Sequence, residues 1–471
     1  MKKHISTLFV YVLMILSVLP VLSQDTTNIH FPPDTPGKRA ELYFKAFNDK
    51  DENEMRRYME QNYAAASLQE RSIEERMARY RQIKHEIPAL EPVKIVKQSE
   101  DEIKIIGHSS NQQWLELSFE YEKNDPFKIT RLRVMILEEP PDLDAPTTSL
   151  SETEMLTEFE SYINNLVGKD EFSGVILIAK NDKVIFRKAY GLASKEYNVA
   201  NRIDTRFNLG SINKFLTRIA IEQLAAAKRL SLDDPVGKHL PDYPDRSVAE
   251  KVTIRQLLDM TSGIGDFFGT KYEATPKNRI RSLADYLLLF GDNSLLFEPG
   301  TNRQYSNGGY IVLGLIIERV SGKTYFDYMQ EHVYKITGMD HSGHFEADIP
   351  VENVASGYTR NWDDADHSGE VRRNNMYTRP ARGSSAGGGY STVDDLHKLV
   401  LAVQAGQLSA PQTSESVKNG GIGIAGGAPG INAMIETNPK NGYIVIVLAN
   451  YDPPAAGTVA RKANSYLERL K

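Results

Sequence analysis

The sequence has no cysteine, which excludes a disulfide framework and a lipid-modified cysteine alike. Positive charge is not in surplus. Fifty-six Lys and Arg stand against 62 Asp and Glu, a formal net charge of −6, and nothing in that balance suits a nucleic acid or an anionic membrane surface. Internal repeats are missing, and so is any spacing of His or carboxylates that would hold a metal ion. Long apolar runs are missing apart from one at the start. Leu8 to Leu22 follows Lys2 and Lys3 and ends at Val21-Leu22-Ser23, before Gln24. That run reads as a bacterial-type signal peptide, residues 1–23. It is short for a full membrane span, so no stable membrane anchor is expected after cleavage. The mature chain is then expected to be periplasmic or secreted and, without disulfides, to rely on its core.

What is present is ordinary for a globular chain: 41 % hydrophobic and 25 % charged residues over 471 positions, enough for more than one domain. Residues 24–139 read as a small α+β domain. Ala40 to Phe47, Met55 to Tyr63 and Ile73 to Ile83 have helical spacing, while Leu115 to Tyr121 and Leu132 to Ile136 alternate as half-buried strands. Asp49, Asp51 and Glu52 read as a solvated turn and helix start, not a metal site. Glu139-Pro140-Pro141 through Pro146 marks a linker, 140–148. The main domain, 149–471, opens with a helix at Met155 to Val167 and a hairpin, Val175 to Ala179 and Val184 to Lys188, over Asn181-Asp182. It closes with a second hairpin, Asn432 to Thr437 and Tyr443 to Asn450, and a helix from about Ala456. Strands at both ends with helices between them imply one antiparallel sheet built from both termini, a helical lobe against it, and a cleft between.

The chain is organised around Phe207 to Leu224. Ile212, Phe215, Leu216, Ile219 and Leu224 form one helical stripe, and Gly210 precedes it, so a helix is expected to begin near Ser211. Ser211 then sits at the positive end of the helix dipole, with Lys214 one turn on. A serine hydroxyl is a weak nucleophile until a neighbour takes its proton, and a desolvated lysine with a lowered pKa can take it. Ser-x-x-Lys is common by chance, and alone it reads as a capping serine beside a solvated lysine rather than as a nucleophile.

A second run, Glu298 to Tyr310, carries Tyr305 and Asn307 on a loop that enters a helix. A phenol beside an ammonium group can lose its proton below its usual pKa of ~10, and Tyr305 could then act as general base for a serine, although Tyr-x-Asn taken alone reads as a core tyrosine and a helix-capping asparagine. Asn307 can hold Lys214 and a substrate amide together.

Together these runs resemble the serine β-lactamase and penicillin-binding-protein superfamily, in its class C β-lactamase, DD-peptidase and esterase branch. The matching runs are Phe207 to Lys214, Leu232 to Pro235, Val252 to Leu258, Thr261 to Ile264, Pro299-Gly300, Tyr305 to Asn307 and Gly387 to Asp395. The N-terminal domain resembles the cone-shaped nuclear-transport-factor-2-like fold, on element order and on Ala46 to Asp51. The resemblance implies an α+β architecture: a β-lactamase/transpeptidase-like antiparallel sheet flanked by helices, with a helical lobe. It implies that Ser211 is acylated, that Lys214 and Tyr305 move its proton, and that Asn307, Gly426 and Gly427 meet the substrate. The backbone N–H groups of Ser211 and Gly427 would form the oxyanion hole. No metal or cofactor is called for. The substrate would be a small molecule or a peptide, peptidoglycan-derived peptides included.

Two positions depart from the family pattern. Ile424 stands where Lys or His is expected on the strand before Gly426, so the usual cation beside the tyrosine is missing. Met260 stands where His is frequent and reads as structural. The stretch Gln404 to Gly423 is short, where a further strand is usual. Arg360, Arg372, Arg373, Arg379 and Arg382 flank a polar insertion between Tyr358 and Gly383, and one of them is a candidate to replace the cation. The expectation is an exported serine hydrolase acting on an ester, a D-amino-acid peptide or a β-lactam amide. The alternative is a catalytically impaired relative that binds cell-wall peptide or a protein partner.

Overall fold

The computed structural model describes residues 29–124, 126–137, 141, 150–360 and 371–470. The signal-peptide reading and, apart from residue 141, the linker 140–148 lie outside these. The chain divides into two compact units, Met1–Thr148 and Ser149–Lys471.

In the first unit four helices precede a four-stranded sheet. They are α1 (Thr35–Asn48), α2 (Glu52–Asn62), α3 (Ala65–Glu70) and α4 (Ile73–Glu86). Asp51 caps α2 by accepting from the Asn53 N–H, which satisfies one orphan donor of the first turn. Strands β1 (Leu90–Gln98), β2 (Glu102–Ser109), β3 (Trp114–Tyr121) and β4 (Ile129–Leu137) run as an antiparallel meander in sequence order. The sequence reading found β3 and β4 but not the first two. Register shifts at Pro92/Lys94 and Ile95/Lys97 break the alternation that marks a strand. Phe47, Met55, Met77, Ile105, Leu117 and Phe119 are buried between helices and sheet.

The second unit is built on a five-stranded antiparallel sheet. β5 (Gly174–Lys180) and β6 (Lys183–Tyr190) come from its start. β7 (Gly423–Ala428), β8 (Ile431–Asn438) and β9 (Tyr443–Ala449) come from its end. The order is β7-β8-β9-β5-β6, so both termini supply one sheet. Alternation sorts β5 between two cores. Val175, Leu177 and Ala179 face the helical lobe, whereas Ile176 and Ile178 face α5 (Glu152–Gly168) and the terminal helix Ala455–Leu467. Each such side chain buried is worth about 1.5–3 kcal/mol. α5 starts on a reciprocal Ser151/Glu154 cap and buries Met155, Phe159 and Ile163, four residues apart. The short stretch before Gly423, whose structure the sequence left open, holds a helix, Pro411–Gly420. Thr413 donates from both its N–H and its hydroxyl to the buried Glu222 carboxylate. That leaves β7 at the sheet edge. Among the described residues no helix is long and apolar enough to cross a membrane.

Candidate active site

The helix carrying Ser211 does not begin at the serine. Gly210–Ile212 is a 3-10 turn, and α6 (Asn213–Ala226) follows it. The turn is tighter because Gly210 adopts a left-handed φ of 49°, which glycine alone takes without strain. The Asn208 carboxamide accepts from the Gly210 N–H at 2.9 Å. The Gly389 carbonyl accepts from the Leu209 N–H at 2.7 Å, and Asn213 Oδ1 accepts from the Gly389 N–H at 2.7 Å. Ser211 is therefore held in a turn tied on both sides to the Gly387–Gly389 run.

The same turn leans on the edge strand. A Cβ on Gly426 would stand 1.9 Å from the Leu209 carbonyl oxygen and 2.9 Å from the Ser211 nitrogen. A Cβ on Gly210 would stand 2.8 Å from the Gly427 nitrogen. Bare backbone at both positions lets β7 approach the serine. The Ser211 and Gly427 nitrogens, the two expected oxyanion donors, thus belong to segments in close contact.

Lys214 is 6 % exposed. Its Nζ lies 3.2 Å from Ser211 Oγ and donates to Asn307 Oδ1 at 2.6 Å and to the Ala386 carbonyl at 2.6 Å. It also sits over the ring of Tyr305, 4.7 Å from its centre. Burial pulls its pKa down to about 7, against a smaller upward pull from Asp266, because a charged ammonium is costly to desolvate.

Tyr305 donates its hydroxyl proton to Ser211 Oγ at 2.7 Å. The expectation that it ionises easily is corrected here. Desolvation pushes the phenol above its ordinary pKa, the hydrogen bond with Ser211 pulls it down less, and the Asp266 carboxylate pushes it further up. The reason is burial: taking a phenolate out of water costs more than the Ser211 hydrogen bond returns. Of the two groups, Lys214 is the one whose pKa is lowered and Tyr305 the one whose pKa is raised.

The loop bearing Tyr305 is positioned by Met260, which has a φ of 62°. Its carbonyl accepts from the Gln304 N–H at 2.9 Å, and its sulfur accepts from the Ser306 N–H at 3.4 Å. Ser306 then caps the Asn307–Ser321 helix by accepting from the Gly309 N–H. Asn307 is the first residue of that helix, and its Nδ2 donates to Asp266 Oδ2 at 2.6 Å. Asp266 is a site residue that sequence reasoning missed. It lies two residues beyond the matching Thr261 to Ile264 run, and nothing in its spacing points at Asn307.

Ile424 is half-buried on β7 and packs against the core of the helical lobe. Of the five arginines considered for the missing cation, Arg372 lies between Asp170, Asp452 and the Tyr451 ring. Arg382 is held by Glu346, the His344 carbonyl and the Phe326 ring. Arg360 reaches Asp170 at 3.6 Å, and Arg373 is exposed on a short strand pair. Arg379 alone of the five lines the cleft of about 520 Å³ that opens on Ser211, Tyr305, Asn307 and Gly427. Residues 361–370 of the insertion lie outside the described residues.

A helical lobe on this antiparallel sheet, with a serine turn against the edge strand, is the β-lactamase/transpeptidase-like fold. The chain belongs to the β-lactamase family, whose model (described as Beta-lactamase) matches residues 159–467. It is 27 % identical over 353 residues to "Putative penicillin-binding protein PbpX" of Bacillus subtilis (strain 168), covering 72 % of this chain and 85 % of that one. It is 35 % identical over 185 residues to protein flp of Staphylococcus aureus (strain MW2), of whose length that match spans 37 %. Among solved structures, the penicillin-binding protein of Bacillus halodurans aligns with a TM-score of 0.56 at 30 % identity, over 64 % of this chain and 98 % of its own.

Proposed function

We propose that this β-lactamase-family protein is an exported serine hydrolase that passes through an acyl-enzyme on Ser211. The observation that carries the reading is one oxygen with two partners: Ser211 Oγ has the lowered-pKa amine of Lys214 at 3.2 Å and the Tyr305 hydroxyl at 2.7 Å. Neutral Lys214 takes the Ser211 proton as Oγ attacks the carbonyl carbon. The carbonyl oxygen becomes an oxyanion in front of the Ser211 and Gly427 N–H groups, each worth about 3 kcal/mol to the transition state. When the C–O or C–N bond breaks, the leaving atom receives a proton from the Tyr305 hydroxyl, which Lys214 re-protonates. Water then attacks the ester carbon and gives a proton to Lys214, which passes it to Ser211 Oγ as the acyl C–O bond breaks, so that a free acid leaves and Ser211 and neutral Lys214 are restored.

An ester, a D-amino-acid peptide and a β-lactam amide all suit this route. Ile424 withholds the cation expected beside the tyrosine, which argues against strong β-lactam turnover and favours the first two. The leader-like residues 1–23 favour a periplasmic or secreted enzyme of two domains, 24–139 and 149–471, joined through 140–148. Intact mass of the protein after incubation with penicillin, a fluorophosphonate and an activated ester tests the reading. An adduct on wild type that is absent from Ser211→Ala supports it, and the reagent that turns over points to the substrate class. No adduct with any of the three overturns it and leaves a binding scaffold.

A further inference from the structure

The cleft beside Ser211 is walled by aromatic rings, among them Phe267, Phe268, Tyr272, Phe345 and Tyr390, and among the described residues that line it Arg379 is the one with a charged side chain. The arginine is held in place. Its Nη1 donates to the Tyr390 hydroxyl at 2.5 Å. The backbone on either side is tied down: the Thr378 carbonyl accepts from the Tyr272 hydroxyl, and the Ala381 N–H donates to the Lys277 carbonyl. No carboxylate among the described residues lies within 4 Å of its guanidinium, unlike Arg372 and Arg382, which are both paired. Among the described residues nothing accepts from the other four N–H donors of its fixed fork.

We propose that Arg379 is a specificity-determining residue that selects a carboxylate-bearing substrate for Ser211. A guanidinium in a cleft of low polarity attracts an anion more strongly than the same group on an open surface. Its planar fork matches a carboxylate through two parallel hydrogen bonds. One cation with no second beside it balances a monoanion, which favours a carboxylate over a doubly charged phosphate. The aromatic walls take the apolar remainder of the substrate. Ile424, whose side chain packs against the lobe core, supplies no such charge to the cleft. The inference rests on the hydrolase reading above for what happens to the bound substrate, but not for the binding itself.

Two matched ester pairs test it. In one the acyl chain ends in methyl or in carboxylate: 4-nitrophenyl valerate and the mono-4-nitrophenyl ester of glutaric acid. In the other the leaving group is neutral or anionic: phenyl acetate and 3-carboxyphenyl acetate. Wild type is expected to prefer the anionic member of at least one pair. Arg379→Met should cut that preference by about 10–100-fold, mostly through KM, with the neutral member changed less than about threefold, and Arg379→Lys should keep part of it. Equal losses on both members, or no loss, would overturn the proposal. The same esters are also bound at equilibrium to Ser211→Ala, where turnover is not needed. An anionic preference there that disappears in Ser211→Ala/Arg379→Met upholds the inference even if wild type hydrolyses no ester. Equal affinities for both members overturn it.

Discussion

Asn307 joins Lys214 to Asp266: its Oδ1 is 2.6 Å from the lysine nitrogen and its Nδ2 is 2.6 Å from the aspartate oxygen. The amide keeps the carboxylate one side chain away from the amine. At that remove the negative charge raises the lysine's pKa less than burial lowers it. Direct contact would reverse the balance, since an opposite charge within hydrogen-bond distance favours the ammonium. Asn307→Asp should therefore move the rising limb of activity against pH upward by a unit or more. Asp266→Asn should move it below about 7. A pH–rate profile of the two variants checks both, and identical limbs would break the electrostatic account of the relay.

The wild-type profile identifies the base. If neutral Lys214 accepts the Ser211 proton, kcat/KM rises about tenfold per pH unit below about 7 and levels off above it. A tyrosinate base would place that limb near or above ~10. Tyr305→Phe should lower kcat by about 10²–10⁴-fold while the limb stays where it is, because the phenol donates and does not titrate there. A limb that vanishes or shifts in Tyr305→Phe would return the base to the tyrosine.

Steric closeness at the edge strand can be tested on a single strand. Gly426→Ala puts a Cβ 1.9 Å from the Leu209 carbonyl oxygen, whereas a Cβ on Gly423 meets nothing within 4 Å. The first substitution should cost about 1–3 kcal/mol and displace the Ser211 turn, with activity falling more than stability. The second should leave both within error. Thermal melts and turnover on the two variants, side by side, separate a local clash from a general intolerance of the strand to alanine.

These contacts explain what was legible in the sequence. Ser211, Lys214, Tyr305 and Asn307 lie on helix starts and loops whose apolar periodicity and turn residues can be read directly, and the structure links them in one chain of contacts, Tyr305 to Ser211 to Lys214 to Asn307. Asp266 could not be found that way, because its link to Asn307 spans 41 positions and leaves no local pattern. Which of Lys214 and Tyr305 ionises more readily could not be read for a related reason. Proximity of Lys and Tyr follows from motif order, but which of them ionises depends on burial, and burial is set by the whole lobe. The bulged β1 was lost to broken periodicity, and the stretch that holds the Pro411–Gly420 helix was left open.

Met260 is where the family pattern and the local geometry meet. The residue takes a left-handed φ of 62°, a conformation that costs a non-glycine residue about 1 kcal/mol or more. What the conformation gains is a carbonyl and a sulfur facing the two peptide N–H groups that flank Tyr305, those of Gln304 and Ser306. Met260→Leu preserves volume and removes only the sulfur, a weak acceptor, so stability should change by less than about 1.5 kcal/mol. If the contact positions Tyr305, kcat should still fall several-fold, with KM little altered. Met260→His supplies a ring nitrogen in place of the sulfur and should recover most of the loss. Wild-type kcat in Met260→Leu would mean that the loop is held by the Gln304 hydrogen bond and the Ser306 cap alone.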